Sequence, residues 1–198
     1  MGTINSAISL VRNPTSYLTE NKDTPATVRE IMVNYVAVLA AIPFFATLIG
    51  SLWYYDLYAP FGFRGSFIAY AFLYAFLFYI FDVIAVYVVA LVISFLAPTF
   101  GSSNDRIKSL RLSAFIFTPA FLIGVLDIVP FLGILTILGI LYGLYILYLG
   151  LPIILGTPKE KVVTYVVAVV IATFIVYFVL DAIIGGITTA AFHVGMAL

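Results

Sequence analysis

Five apolar stretches of bilayer length take up most of this chain, and no other feature restricts its fold so strongly. A helix needs about 20 apolar residues to cross a hydrocarbon core of ~30 Å. The runs extend approximately from Ile31 to Trp53, Phe67 to Leu96, Leu112 to Val129, Phe131 to Ile154 and Val162 to Ile184. They are too long and too continuous for barrel strands, in which apolar and polar residues alternate. The expected fold is therefore all-α: an integral membrane protein of five transmembrane helices, preceded by short N-terminal amphipathic or pre-membrane helices.

Composition leaves no room for a second kind of domain. Of 198 residues, 64% are hydrophobic and 9% charged, against about 25% charged in a soluble domain. The expected organisation is an N-terminal segment over residues 1–28 and one membrane domain over 29–198. The net charge of zero gives no electrostatic footprint for nucleic acid. The absence of Cys excludes disulfides, thiol catalysis and Cys-based metal sites. Met1 to Tyr17 does not read as a signal peptide, since no charged start precedes a long apolar core and Pro14 interrupts it.

Local signals place the helices. Ile4, Ala7, Ile8 and Val11 fall on one helical face, the pattern of a short helix lying on the membrane surface; a loosely ordered apolar terminus is the alternative. Asn13-Pro14 reads as an N-cap followed by proline at the first helical position. Thr24-Pro25 repeats that signal before the first span, which is expected to end at the aromatic cluster Trp53-Tyr54-Tyr55, suited to the headgroup belt. A loop containing Asp56, Pro60, Gly62 and Gly65 leads to a second span about 45 Å long, which must tilt or protrude. Ser103 or Asn104 is expected to cap the third helix, Pro119 to kink it and Pro130 to end it, leaving an antiparallel hairpin with the fourth. Pro152 is expected to bend or end the fourth helix. Thr157-Pro158-Lys159-Glu160 has the pattern of a capping box for the fifth helix, which is expected to stop near Gly185-Gly186.

Charge supports the span count. Arg12, Lys22 and Arg29 precede the first span; Arg106, Lys108 and Arg111 lie between the second and third; Lys159 and Lys161 lie between the fourth and fifth. With five crossings, every basic residue except Arg64 falls on one side. The positive-inside rule then puts the N-terminus in the cytoplasm and the C-terminus outside. Arg106, Lys108, Arg111, Lys159 and Lys161 would form a small basic cytoplasmic face.

The punctuation of the chain resembles a known family. The relevant segments are Asn13-Pro14-Thr15, Phe100-Gly101-Ser102, Thr118-Pro119 and Ile128-Val129-Pro130-Phe131-Leu132-Gly133, followed by Tyr142-Gly143-Leu144-Tyr145, Gly150-Leu151-Pro152 and Thr157-Pro158-Lys159-Glu160-Lys161. In order and spacing they resemble the Yip-domain family, the Ypt/Rab-interacting membrane proteins and their prokaryotic relatives. The resemblance implies five spans and a cytoplasmic N-terminus. Eukaryotic members have a long soluble N-terminal region that the resemblance links to Rab GTPases. The short segment here looks closer to the prokaryotic members, which argues against a GTPase partner.

Asp82 is the sharpest candidate for chemistry. It lies near the middle of the second span between Phe81 and Val83, where a carboxylate costs at least about 2.5–3.5 kcal/mol. No Lys or Arg lies at its depth, so the neutral acid is favoured. It reads either as a proton or cation site or as an acid held by a Tyr, Ser or Thr of a neighbouring helix. Tyr70, Tyr74, Tyr87, Tyr142, Tyr145 and Tyr148 offer hydroxyls, or serve as packing and interface anchors. Asp127, Asp181 and His193 have metal-ligand chemistry, but their positions are those of solvated helix ends. Gly139, Gly143 and Gly150 share a face of the fourth span, suited to close packing within the bundle or to a dimer.

No nucleophile elbow, phosphate loop, paired acids at helical spacing or zinc helix motif occurs, so neither an enzyme nor a cofactor is expected. The expected function is that of a membrane scaffold or adaptor, whose partners are the lipid bilayer and other membrane proteins or a second copy of the chain. The alternative is a small transporter or channel subunit that uses Asp82.

Overall fold

A computed structural model describes residues 2–58 and 64–197, with side chains described outside 53–67, 70, 130 and 189–198. Two short helices, α1 (Thr3–Arg12) and α2 (Pro14–Asn21), precede a π-helical turn (Glu30–Val36) that runs directly into α3 (Ala37–Tyr58). Then come α4 (Arg64–Leu96), α5 (Arg106–Ile123), two 3-10 segments (Gly124–Ile128 and Pro130–Leu135), α6 (Thr136–Leu155) and α7 (Lys159–Ala197). No strand occurs among the described residues. Among the described residues five stretches are long and apolar enough to cross a membrane: Glu30–Leu52, Ala71–Leu96, Arg106–Ile128, Phe131–Leu155 and Lys159–Thr188. The side chains of Trp53, Tyr54, Tyr55, Asp56 and Arg64, and the whole of Pro60 and Gly62, lie outside what the structure describes.

Helix α5 is the hub. It packs on α6, α4, α3 and α1, and most of its length is buried. The packing against α6 uses the glycine face expected from the sequence. A Cβ on Gly139 would come within 2.7 Å of the Ala120 Cα, one on Gly143 would strike the Ile116 carbonyl, and one on Gly150 would strike the Leu112 side chain. That face is therefore filled inside the chain. Helix α7 packs chiefly on α4 and only lightly on α6.

Polar side chains on α5 find partners within the protein that lipid could not give them. The Ser113 hydroxyl donates to the Val86 carbonyl (2.7 Å), and Thr118 donates to Ala114 (2.8 Å) while accepting from the Tyr35 hydroxyl (2.9 Å). In hydrocarbon an unpaired polar group costs several kcal/mol, so such groups turn inward.

Several start and stop signals resolve differently from the sequence expectation. The capping box forms at Thr27, where the Glu30 carboxylate accepts from the Thr27 amide (2.7 Å) and the Glu30 amide donates to the Thr27 hydroxyl (3.2 Å). Thr157 does not make the expected box. Its hydroxyl donates to the Leu151 carbonyl (2.9 Å) and accepts from Ser102 (2.8 Å), so it closes the end of α6 instead. The cap of α5 is Asp105, which accepts from the amides of Ile107 (2.9 Å) and Lys108 (3.0 Å). Asn104 accepts from Ser94 (2.8 Å). Pro152 lies within α6, which continues to Leu155 and ends at left-handed Gly156. Gly185-Gly186 does not stop α7. The Thr188 hydroxyl donates across the pair to the Ile184 carbonyl (2.8 Å), and the helix runs on.

Candidate functional site

One end of the bundle gathers α1, α2 and the loops before α5 and α7. Arg111 fastens it. Its guanidinium donates to the carbonyls of Asn21 (2.6 Å), Lys22 (3.0 Å) and Thr24, just past the end of α2. A cation suits a helix C-terminus, whose last carbonyls lack partners. Tyr17 and Tyr35 both set an edge against Phe115, and the Tyr142 hydroxyl donates to the Val11 carbonyl (2.7 Å). Residues 3–21 are thus docked on the bundle. Ala7 and Leu10 face inward while Ile4 and Ile8 stay exposed, so the buried face is rotated from the one read in the sequence. Protein contact, in addition to any lipid, selects it.

The expected basic face divides accordingly. Arg106, Lys159 and Lys161 are exposed. Lys108 is half-buried and paired with Asp23 at 2.7 Å. That hydrogen bond, with the ammonium's charge, holds the exposed Asp23 carboxyl below the usual carboxylate range. Arg111 is only 6% exposed, so it is a structural tie and not part of a presented surface.

Asp82 lies midway along α4, turned toward α7. Its partner is Tyr177, whose hydroxyl donates to Oδ1 at 3.1 Å. Tyr177 is not among the tyrosines singled out in the sequence. Counting from the end where α4 stops and α7 starts places Asp82 and Tyr177 at similar depth. That depth match was the available signal, and it is weak without knowing which helices adjoin.

The acid is not sealed by this contact. It lines a chamber of about 870 Å³ bounded by residues of α3, α4, α5, α6 and α7. Phe44, Phe78, Phe117, Phe121 and Phe174 supply much of the wall, and Thr47, Ser51, Asp127, Thr136 and Thr173 add polar groups. Such a volume lies within the range of small-molecule sites, ~300–1,000 Å³. The Thr136 hydroxyl is buried and has no hydrogen-bond partner among the described residues. Asp82 and Tyr177 also border a smaller cavity of about 280 Å³, which Asp181 lines. Among the described residues no Lys, Arg or His lines either space.

Close backbone contacts fix one end of the chamber. A Cβ on Gly50 would strike the Asp127 carbonyl, and one on Gly124 would come within 2.8 Å of the Pro43 Cβ. Two glycines thus seat the 3-10 turn against α3 and hold Asp127 beside the chamber. Asp127, Asp181 and His193 are not shown as a trio: no group of three metal-ligating side chains forms among the described residues, and the His193 side chain lies outside them.

Comparison with known proteins gives one match. The family model described as the Yip1 domain matches residues 8–180. No curated protein matches, and no solved structure does.

Proposed function

The chain belongs to the Yip1-domain family, and from that premise we propose that it is a non-enzymatic, multi-pass membrane protein whose working part is the chamber at Asp82. The chamber would bind a small solute within the bilayer, and the protein would act as a transporter or channel subunit. The observation that carries this reading is that Asp82 opens into a space of ligand size although Tyr177 already holds one of its oxygens. An acid retained only for packing would be closed on its partner. Intramembrane acids in cavities mark substrate and ion paths in many membrane proteins.

The absence of Cys makes a direct test simple. Single cysteines at Ser51, Thr136 and Thr173 should react with the small uncharged reagent N-ethylmaleimide in the reconstituted protein. A cysteine at Ser113, which is fully buried and tied to Val86, should not. Protection of all three chamber positions would remove the proposal.

The scaffold reading rests on a different observation, the docked cap of α1 and α2 beside exposed Arg106, Lys159 and Lys161. In this reading the cap faces the cytoplasm, the C-terminus lies outside, and each basic residue near anionic lipid adds about 1 kcal/mol of attraction. Membrane-protein partners or a second copy would then bind at this end. Neutralising all three residues to Gln should release polypeptides that co-purify in mild detergent. An unchanged set of co-purifying polypeptides would count against the scaffold. Labels at both ends in intact cells test the orientation, since labelling of the N-terminus alone from outside would reverse it.

A further inference from the structure

We propose that the chamber takes a lipophilic organic cation: an amine or onium group carried on an aromatic or aliphatic body. This rests on the chamber being the working site, and it specifies the chemistry of what enters.

Charge excludes one large class. Asp82 and Asp127 lie on the wall, and among the described residues no basic side chain does. An organic anion such as a fatty-acid carboxylate would face acids with nothing to neutralise it. A positive group would find a carboxyl group already oriented by the Tyr177 hydroxyl.

The shape of the wall excludes a second class. A bare divalent ion favours several charged or imidazole ligands, and no group of three His, Asp or Glu side chains forms among the described residues. A strongly polar neutral solute would lose more hydrogen bonds to water than this wall restores. The aromatic surface suits a weakly hydrated cation instead. Phe117 lies 6.0 Å from Tyr177 and 6.1 Å from Phe121, centroid to centroid, so consecutive rings extend from the acid along the wall. A cation within about 6 Å of a ring face is attracted by the ring quadrupole, most strongly when desolvated. The unpartnered Thr136 hydroxyl offers a hydrogen bond to a polar substituent.

A matched pair of probes tests this. Tetraphenylphosphonium and tetraphenylborate have nearly the same shape and opposite charge. Binding is measured by equilibrium dialysis to the full chain in phosphatidylcholine nanodiscs, with empty nanodiscs subtracted. Tetraphenylphosphonium should bind at least about tenfold more tightly than tetraphenylborate. Asp82→Asn should abolish most of that preference while keeping the wild-type melting temperature. Phe117→Leu should weaken the cation independently, which keeps the test decisive if the Asn variant is unstable. Tetraphenylborate binding as well as the cation, or an unaltered preference in both variants, would overturn the proposal.

Neutral triphenylmethanol separates the two readings. If it shields a cysteine at Ser51 from N-ethylmaleimide and the phosphonium does not, the chamber survives and the cation assignment fails. If neither compound shields a cysteine that reacts freely, the cation assignment fails as well.

Discussion

Helices α5 and α7 are both apolar enough to cross a bilayer, yet they live in different surroundings. In the α5 span, with mean hydropathy 1.8, 67% of the most apolar window is buried in the protein; in the α7 span, with mean hydropathy 2.7, the figure is 11%. The less hydrophobic helix is the buried one, which inverts the rule for soluble proteins. Lipid receives apolar side chains without cost, so hydrophobicity alone does not drive a helix inward. Polar groups do so, because lipid gives them no partner. Ser113, Thr118 and Arg111 on α5 each find a partner inside. Helix α7 places Ile171 and Phe178 outward at 57% and 70% exposure, and turns Tyr165 and Tyr177 in toward α4.

Substitutions on the two helices put this contrast at risk. The largest effect is expected from Arg111→Leu, which removes the guanidinium's bonds to three carbonyls. It should destabilise the protein by on the order of 3 kcal/mol, read as a lower melting temperature in detergent. Arg111→Lys should restore only part, because an ammonium cannot span three carbonyls as the planar fork does. An unshifted midpoint for Arg111→Leu would mean that the docked cap does not support the bundle.

Next in size is Gly143→Leu on the α6 face that meets α5. Overpacking there should cost about 2 kcal/mol. Gly185→Leu on α7, where nothing lies within 4 Å, should change the melting temperature little. Equal losses at the two sites would erase the distinction between a packed and a lipid-facing surface.

A smaller effect is expected at the chamber. Tyr177→Phe should cost about 1 kcal/mol, one hydrogen bond. Asp82→Asn should fold normally, since the amide oxygen still accepts from Tyr177. Collapse of expression in the Asn variant would show that the acid's charge helps to hold the fold.

The smallest effect concerns the exposed Asp23–Lys108 pair. A carboxyl held below its ordinary range stabilises the fold at pH values above that range, and the contribution fades as pH falls through it. Asp23→Asn should therefore lower the melting temperature slightly at neutral pH, with the difference fading as the pH falls through and below the usual carboxylate range. A difference that grew on acidification would reverse the sign of the argument.

How much was legible follows the range of each interaction. The spans and the family likeness depend on local runs and on the order of Pro and Gly, so both were readable. Caps were readable in kind but not in position. Thr157, Asn104 and Asp105 all have cap-forming side chains, and only the neighbouring loop decides which of them a distant group claims. Asp82 stood out as an intramembrane acid. Tyr177, 95 positions away, did not, because tyrosines are frequent and nothing local says that α7 adjoins α4. Arg111 looked like one more wet basic residue until α2 was folded over it.

By itself the sequence determined that this chain belongs in lipid, has five helices long and apolar enough to cross it and places most of its basic residues in alternate connections. Those properties follow from solvation, which acts residue by residue along a helix. Only the tertiary structure decided that the glycine face closes on α5, that Arg111 is consumed as a tie and that Asp82 opens into a chamber. Those depend on which helices touch, and in a bilayer that choice is made by close packing and by polar groups finding partners, neither of which hydropathy records.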